Sequence, residues 1–316
     1  MKLIVIIPAY NEELTIGSVI KSIPEVNGRI SKTEVIVVND GSKDKTKEIA
    51  EENGARVVSH SSNKGVGMAF RTGIEEALKR KADIIVNVDA DGQFNPEDIP
   101  KLIEPILDDK ADFVTATRFK DGHLIGNMPF VKKIGNKMFT SLTSFLVGQK
   151  FTDTQCGFRA YSREAALRLN LYGKFTYTQE VFLDLANKGL RIMEVPLYVK
   201  AKREFGKSKV VKSVPKYIFQ ALTIIIRSIR DYKPLAFFGV IGLFLFGFGG
   251  LIELILFVRW IITRAVTPYK TAVIVGAVFL ILGFLLLVLA LIADMLDRQR
   301  RIEEDLLYYK KKEMWK

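Results

Sequence analysis

Cysteine and histidine are almost missing from this chain. One thiol, Cys156, among 316 residues excludes an internal disulfide framework, and two histidines, His60 and His123, exclude a zinc site of the usual Cys/His kind. No G-x-G-x-x-G follows the first apolar run and no G-x-x-x-x-G-K-[ST] occurs, which disfavours a dinucleotide dehydrogenase and a P-loop NTPase. Nucleic-acid binding has no aromatic-basic module to support it. Residues 1–7 lack the length and the small-residue cleavage site of a leader, so they read as a first buried strand with an intracellular amino terminus. There is no internal repeat and no low-complexity segment.

Charge and apolar content are concentrated rather than spread. Hydrophobic residues make up 48% of the chain, enough for a full core and a second module. The formal net charge is +12, yet residues 1–199 hold 27 Lys and Arg against 26 Asp and Glu. The excess sits at 200–233, with 10 basic residues against 2 acidic, directly before the apolar region. A basic belt there reads as contact with anionic lipid headgroups or a lipid phosphate. Residues 212–230 mix apolar and basic side chains in a pattern that suits a helix lying in the headgroup plane.

Segments 235–258 and 272–293 are each long and apolar enough to span a bilayer as a hairpin. Arg227, Arg230 and Lys233 precede it and Arg298, Arg300 and Arg301 follow it, against Arg259, Arg264 and Lys270 in the connecting loop; the positive-inside rule puts both ends in the cytoplasm. Glu253, the one acid within a span, reads as a structural residue in reach of Arg259 or water. Gly239, Gly242, Gly247, Gly249 and Gly250 offer close approach to the hairpin partner or to a second subunit, which would make a homo-oligomer through these helices.

Ahead of the membrane region the periodicity alternates. It predicts strands at 2–7, 34–38, 55–59, 83–88 and 112–117, and helices at 12–22, 43–53, 66–80 and 96–107. That order implies an α/β fold with a mostly parallel sheet covered by helices. A loop at 118–128, a helix at 131–147, an extended piece at 151–160, a helix at 178–188 and a strand at 190–199 complete the region.

The chemistry gathers at predicted strand ends. VDADGQFNP, residues 88–96, follows the apolar run 84–88 and precedes a helix opened by Pro96, so Asp89 and Asp91 stand where open α/β sheets place ligands. Two carboxylates and the Gln93 amide are an oxygen donor set for Mg²⁺ or Mn²⁺ shared with substrate phosphates. PAYNEE (8–13) and VVNDGS (37–42) end two further strands on the same sheet edge. There Tyr10 can wall a base, and Asp40 can accept hydrogen bonds from a base or ribose. NKGVGMA (63–69) brings backbone amides, those of Lys64 and Gly65 among them, to a helix entry that suits phosphate or ribose.

As a set, PAYNEE, VVNDGSKDKT, NKGVGMA, VDADGQFNP, DTQCGF and REFGKSK, in that order over residues 1–230, resemble the inverting family-2 glycosyltransferases of GT-A fold. Within them they resemble the polyprenyl- or dolichyl-phosphate hexosyltransferases. The resemblance implies a nucleotide-diphospho-sugar transferase domain that takes UDP-glucose or GDP-mannose as donor and a polyprenyl or dolichyl phosphate as acceptor. Pro8, Ala9, Tyr10, Glu12 and Asp40, with Lys64, Gly65, Asp89 and Ala90, would hold the nucleotide. Asp89, Asp91 and Gln93 would hold the metal and diphosphate. Arg118, Arg203, Ser208 and Lys209 fall at the phosphates. Relatives often carry a second arginine after a Pro-aromatic pair, where this chain has Lys132 and Lys133, which attract phosphate without a bidentate fork. Asp153 matches the catalytic base or acceptor-site acid and joins Asp91 in the catalytic set. A lipid phosphate is already ionised near neutral pH, so Asp153 can instead orient the acceptor. Glu180 is a further sugar-side candidate. DTQCGF is somewhat closer to the glucosyl than to the mannosyl enzymes, and the donor stays open. Residues 1–209 would be catalytic, 210–233 juxtamembrane, 234–293 the hairpin and 294–316 a cytoplasmic tail.

Three rivals make different demands. A nucleotidyltransferase would need a basic glycine-rich first loop, and a processive synthase Q-x-x-R-W with more spans. A non-catalytic scaffold would show decayed acids at 89–93, where all three ligands stand intact.

Overall fold

The run Leu-Ile-Val-Ile-Ile is too apolar to give either face to water, and it becomes an inner strand, β1 (Lys2–Ala9). Leu3, Val5 and Ile7 feed the core on one side of the sheet while Ile4 and Ile6 feed the other, the period of two that a doubly covered strand requires. The computed structural model describes residues 1–26, 28–119, 130–170, 177–200, 226–227 and 229–315. The chain divides into two units, Met1–Lys212 with Asp305–Lys316, and Ser213–Glu304.

In the first unit β1 is joined by β2 (Lys32–Asn39), β3 (Arg56–Ser59), β4 (Ile84–Asn87), β5 (Phe113–Thr117), β6 (Arg159–Ser162) and β7 (Ile192–Pro196). The order is β3-β2-β1-β4-β6-β5-β7. All pairings are parallel except those of β6, which runs antiparallel between β4 and β5. Helices α1 (Ile16–Lys21), α2 (Thr46–Glu52), α3 (Val66–Lys79) and α4 (Ile99–Leu107) follow the first four strands. On α3, Ala69, Phe70, Ile74, Ala77 and Leu78 repeat every three or four residues and are all buried. A side chain at Gly73 would press on Ile6 at 3.1 Å, so its absence lets α3 lie close to β1. Beyond these come α5 (Phe130–Val147), α6 (Arg163–Arg168) and α7 (Tyr177–Asn187).

Three segments differ from the sequence expectation. Residues 12–15, expected as helix, form a loop because their polar groups are spent on the neighbouring strand tip. Within the expected extended piece at 151–160, residues 151–158 follow no regular element, and β6 starts only at Arg159. Helix α6 was not expected at all; Ser162 caps it, accepting from the Ala165 amide at 3.1 Å.

In the second unit α8 (Pro234–Thr263) and α9 (Lys270–Met314) are both long and apolar enough to cross a membrane. Their packing uses glycines seven residues apart, a spacing that keeps one helix seam facing its neighbour. A Cβ at Gly249 would lie 2.6 Å from the Leu280 nitrogen, and one at Gly283 would meet the Phe246 backbone. Gly242 and Gly276 are in similarly close contact with the facing helix. Gly239 and Gly247 meet nothing within 4 Å. The expectation for Glu253 needs correction. Arg259 lies over the Tyr269 ring at 4.3 Å. Glu253 Oε1 is instead buried against Gly276, with no hydrogen-bond partner among the described residues.

Helix α9 continues without a break past the expected tail boundary at 294. Its last turns group with the first unit, where Tyr308 is buried and donates to Glu164 Oε2 at 2.9 Å under the Arg168 guanidinium. Lys311 Nζ donates to the Leu169 carbonyl and to Asn170 Oδ1 at the end of α6, and burial, then the nearby Lys188, push its pKa down to about 8. The expected juxtamembrane helix at 210–233 falls mostly outside the described residues.

Candidate active site

Parallel pairing carries the ends of β2, β1 and β4 to one sheet edge. Asp40 follows β2 and donates its amide to the Ala9 carbonyl at 2.9 Å, while Val88 after β4 donates to Ile6. Residues 10–13 and 42–46 are then laced together. The Asn11 amide donates to Ser42 Oγ, the Lys43 amide to Asn11 Oδ1, and the Glu12 amide to Thr46 Oγ1. Asn11 takes the left-handed backbone at φ 54 to do so. Gly41, at φ 72, lies so close to the next loop that a Cβ would be 2.6 Å from the Ser62 carbonyl carbon; only glycine fits. Pro8, Ala9, Tyr10 and Glu12 thus line one edge with Asp40, as expected from their strand-end positions.

Asp40 is buried and its carboxylate accepts from three groups. Oδ1 receives the Lys64 amide at 2.9 Å and faces His60 Nδ1 at 2.7 Å, and Oδ2 receives the Gly65 amide at 2.8 Å. The Lys64 and Gly65 amides, expected to face phosphate or ribose, therefore anchor Asp40 instead.

Asp89, Ala90 and Asp91 sit on the turn after β4, which Gly92 closes at φ 71. Asp91 is buried and its Oδ1 accepts from the Gln93 amide at 3.0 Å. The Gln93 side chain donates to the Lys200 carbonyl at 3.0 Å, tying this turn to the end of the segment that enters residues 201–225. Antiparallel β6 brings in the third piece. Asn87 faces Arg159 across the β4–β6 ladder and its side chain donates to the Gly157 carbonyl at 2.8 Å. Gly157 then lies directly against Asp89: a Cβ there would be 2.7 Å from Asp89 Oδ2.

The donor set is all oxygen, two acids two residues apart with an amide, and no group of three or more His, Cys, Asp and Glu that could hold a metal occurs among the described residues. That fits Mg²⁺ or Mn²⁺ completed by substrate phosphates rather than a closed protein cage. If Asp89 carries the ion, Gly157→Ala should lower Mn²⁺ affinity by about 10–100-fold, because the new methyl displaces the carboxylate. Mn²⁺ titration in a nucleotide-binding assay reads this, and an unchanged affinity would remove Asp89 from the metal set.

Asp153 is fully buried. It accepts from Arg118 Nε at 2.6 Å and Nη2 at 3.0 Å, from the Arg118 amide, from Asn136 Nδ2 at 3.1 Å and from the Gln155 amide. Five donors, three of them crowded on Oδ1, are one more than the about four positions at which a carboxylate ordinarily accepts. Burial alone would lower the Arg118 pKa, but the bonds and charge of Asp153 reverse this and raise it. The 152–153 backbone is held by Glu194, which accepts both amides at 2.9 Å. Arg159, fully buried, donates to the Thr154 and Cys156 carbonyls and shapes the loop from inside. Burial and the Asp153 charge push the Cys156 thiol up to about 12, so it stays protonated.

Lys133 is exposed near the start of α5. The Lys132 side chain and Arg203, Ser208 and Lys209 lie outside the described residues. Glu180 is partly exposed on α7. Asn136, Gly157, Arg159, Glu194 and His60 were not foreseen. Asn136 left a signal in the polar residues Asn136, Thr140 and Thr143 at helical spacing, and Gly157 stands within the DTQCGF motif.

The profile of "Glycosyl transferase family 2" matches residues 4–169. The chain is 40% identical over 212 residues to the UDP-N-acetylglucosamine–dolichyl-phosphate N-acetylglucosaminyltransferase of Methanococcus voltae, covering 61% of this chain and 83% of the relative. Polyprenol monophosphomannose synthase of Mycolicibacterium smegmatis is 31% identical over 220 residues, 65% of this chain and 80% of its own length. Among solved structures, glucosyl-3-phosphoglycerate synthase from Mycobacterium tuberculosis with Mn²⁺, UDP and glucosyl-3-phosphoglycerate superposes with a TM-score of 0.51 at 25% identity, over 72% of this chain and 78% of that one. A match over more than half of the chain, on the same strand tips that carry the paired acids, makes this protein a glycosyltransferase of family 2.

Proposed function

We propose that the protein moves a hexose or N-acetylhexosamine from a nucleotide sugar to a polyprenyl or dolichyl phosphate at a membrane surface. The observation that carries this reading is that the loop into β6 holds both Asp153, paired with Arg118 at the end of β5, and Gly157, which lies against Asp89. A diphosphate end and a cationic acceptor end are thereby built around one loop. The names of the relatives, which include lipid-phosphate transferases of N-acetylglucosamine and mannose, support the acceptor class.

In the reaction the lipid-phosphate oxygen attacks the anomeric carbon while the bond from that carbon to the nucleotide's β-phosphate oxygen breaks. The electron pair leaves with the nucleoside diphosphate and the configuration inverts. A bound Mg²⁺ or Mn²⁺ would supply charge stabilisation on the leaving group, held by Asp89 and Asp91 with Gln93. Asp153 orients rather than deprotonates: it fixes two N–H groups of Arg118, and the remaining guanidinium N–H groups are left to meet the acceptor phosphate. Residues 1–209 form the catalytic part and 210–233 the membrane-surface part. The two spans at 234–293 leave both ends cytoplasmic, and the last turns of 294–316 pack on the catalytic unit.

The test is transfer of labelled sugar from UDP-glucose, UDP-N-acetylglucosamine and GDP-mannose, separately, to dolichyl phosphate in detergent, with Mn²⁺ and with chelator. A lipid-linked product from one donor that vanishes with chelator is the expected result. Hydrolysis or transfer only to a soluble acceptor would overturn the lipid assignment.

A further inference from the structure

Asp40 can accept from a base only with what its neighbours leave. An ionised carboxylate has about four acceptor positions, two on each oxygen. Oδ1 spends both, on the Lys64 amide at 2.9 Å and on His60 at 2.7 Å, while Oδ2 spends one on the Gly65 amide at 2.8 Å. The carboxylate only accepts, so His60 carries a hydrogen on Nδ1, and Nε2 shares a hydrogen bond with the Thr72 hydroxyl at 2.9 Å. His60 is itself pinned, by its amide to the Asn39 carbonyl and by burial of its ring. One acceptor position therefore remains, on Oδ2.

We infer that the donor nucleotide is a uridine rather than a guanosine diphosphate sugar, and that His60 is the residue that sets this preference. Uracil presents a single N–H between two carbonyls, which one acceptor position satisfies. Guanine presents an adjacent N1–H and N2–H₂, which a carboxylate meets through both oxygens at once. With Oδ1 filled, one guanine N–H would enter the site without a partner, and an unpaired buried donor weakens binding by about tenfold or more. The inference rests on the reading that Asp40 meets the base.

Calorimetric titration of the full chain in detergent with Mn²⁺, using UDP and GDP as probes, tests it. UDP is expected to bind at least about tenfold more tightly than GDP. His60→Ala, which frees Oδ1, is expected to bring the ratio towards one, and His60→Asn, whose amide can still donate to Oδ1, to restore it. Equal or tighter GDP binding by the native chain overturns the inference and leaves the transferase reading standing. An unchanged ratio in His60→Ala overturns the role of His60. If neither nucleotide binds to chain that unfolds cooperatively on heating, the functional reading fails with it.

Discussion

Arg118→Met is expected to destabilise the catalytic unit by about 3–5 kcal/mol and to lower its unfolding midpoint by on the order of 10 °C. The reason is the Asp153 carboxylate, which is fully buried and takes two of its five hydrogen bonds from the Arg118 side chain. With the guanidinium gone, that charge has the Asn136 amide and two backbone amides but no cation. The double variant Arg118→Met with Asp153→Asn should regain part of the loss, because the amide oxygen can still accept from Asn136 and the Gln155 amide and leaves no uncompensated charge. Neither variant should transfer sugar, since both lack the guanidinium assigned to the acceptor phosphate. Thermal unfolding of the purified chain followed by circular dichroism separates the cases. A single variant as stable as the native protein would mean that Asp153 finds another partner or water, and that the pair is no anchor.

Asp91→Ala should cut sugar transfer by about 10²–10³-fold, with chelator having little further effect. Asp89 and Asp91 both sit on the turn after β4, the pair of acids that would share the ion with the diphosphate. Removing one leaves the diphosphate with a single protein carboxylate to share an ion. The buried Asp91 also accepts the Gln93 amide, which helps hold the turn. Asp91→Asn can keep that bond while losing the charge, and it should be as inactive as alanine if the charge matters. Initial rates from the preferred donor, measured over a range of Mn²⁺ concentrations, decide it. Retention of activity within a few-fold would separate these acids from the chemistry.

Much of this molecule could be read locally. The alternation of apolar runs with helical periods determined the α/β class, because strands buried on both faces must be continuously apolar. The position of the Asp-x-Asp turn followed from the strand before it, while its reading as a donor set rested on the other strand-end motifs beside it. The hairpin followed from length and hydropathy alone. The sequence could not show partners far away along the chain. Helix α1 begins at Ile16 rather than at residue 12 because the preceding loop is laced to Ser42, Lys43 and Thr46 about 30 residues later. Strand β6 is short, carries a buried arginine and runs against its neighbours, so no period marks it. Asp153 read as a base by position, yet donors 17 and 35 residues away on α5 and after β5 fill its oxygens. Of the hairpin glycines, Gly242 and Gly249 face the other helix while Gly239 and Gly247 do not. In each case the residue type was visible, and only the tertiary structure decided which lone pair or Cβ position was already occupied, because occupancy depends on distances the chain order does not encode.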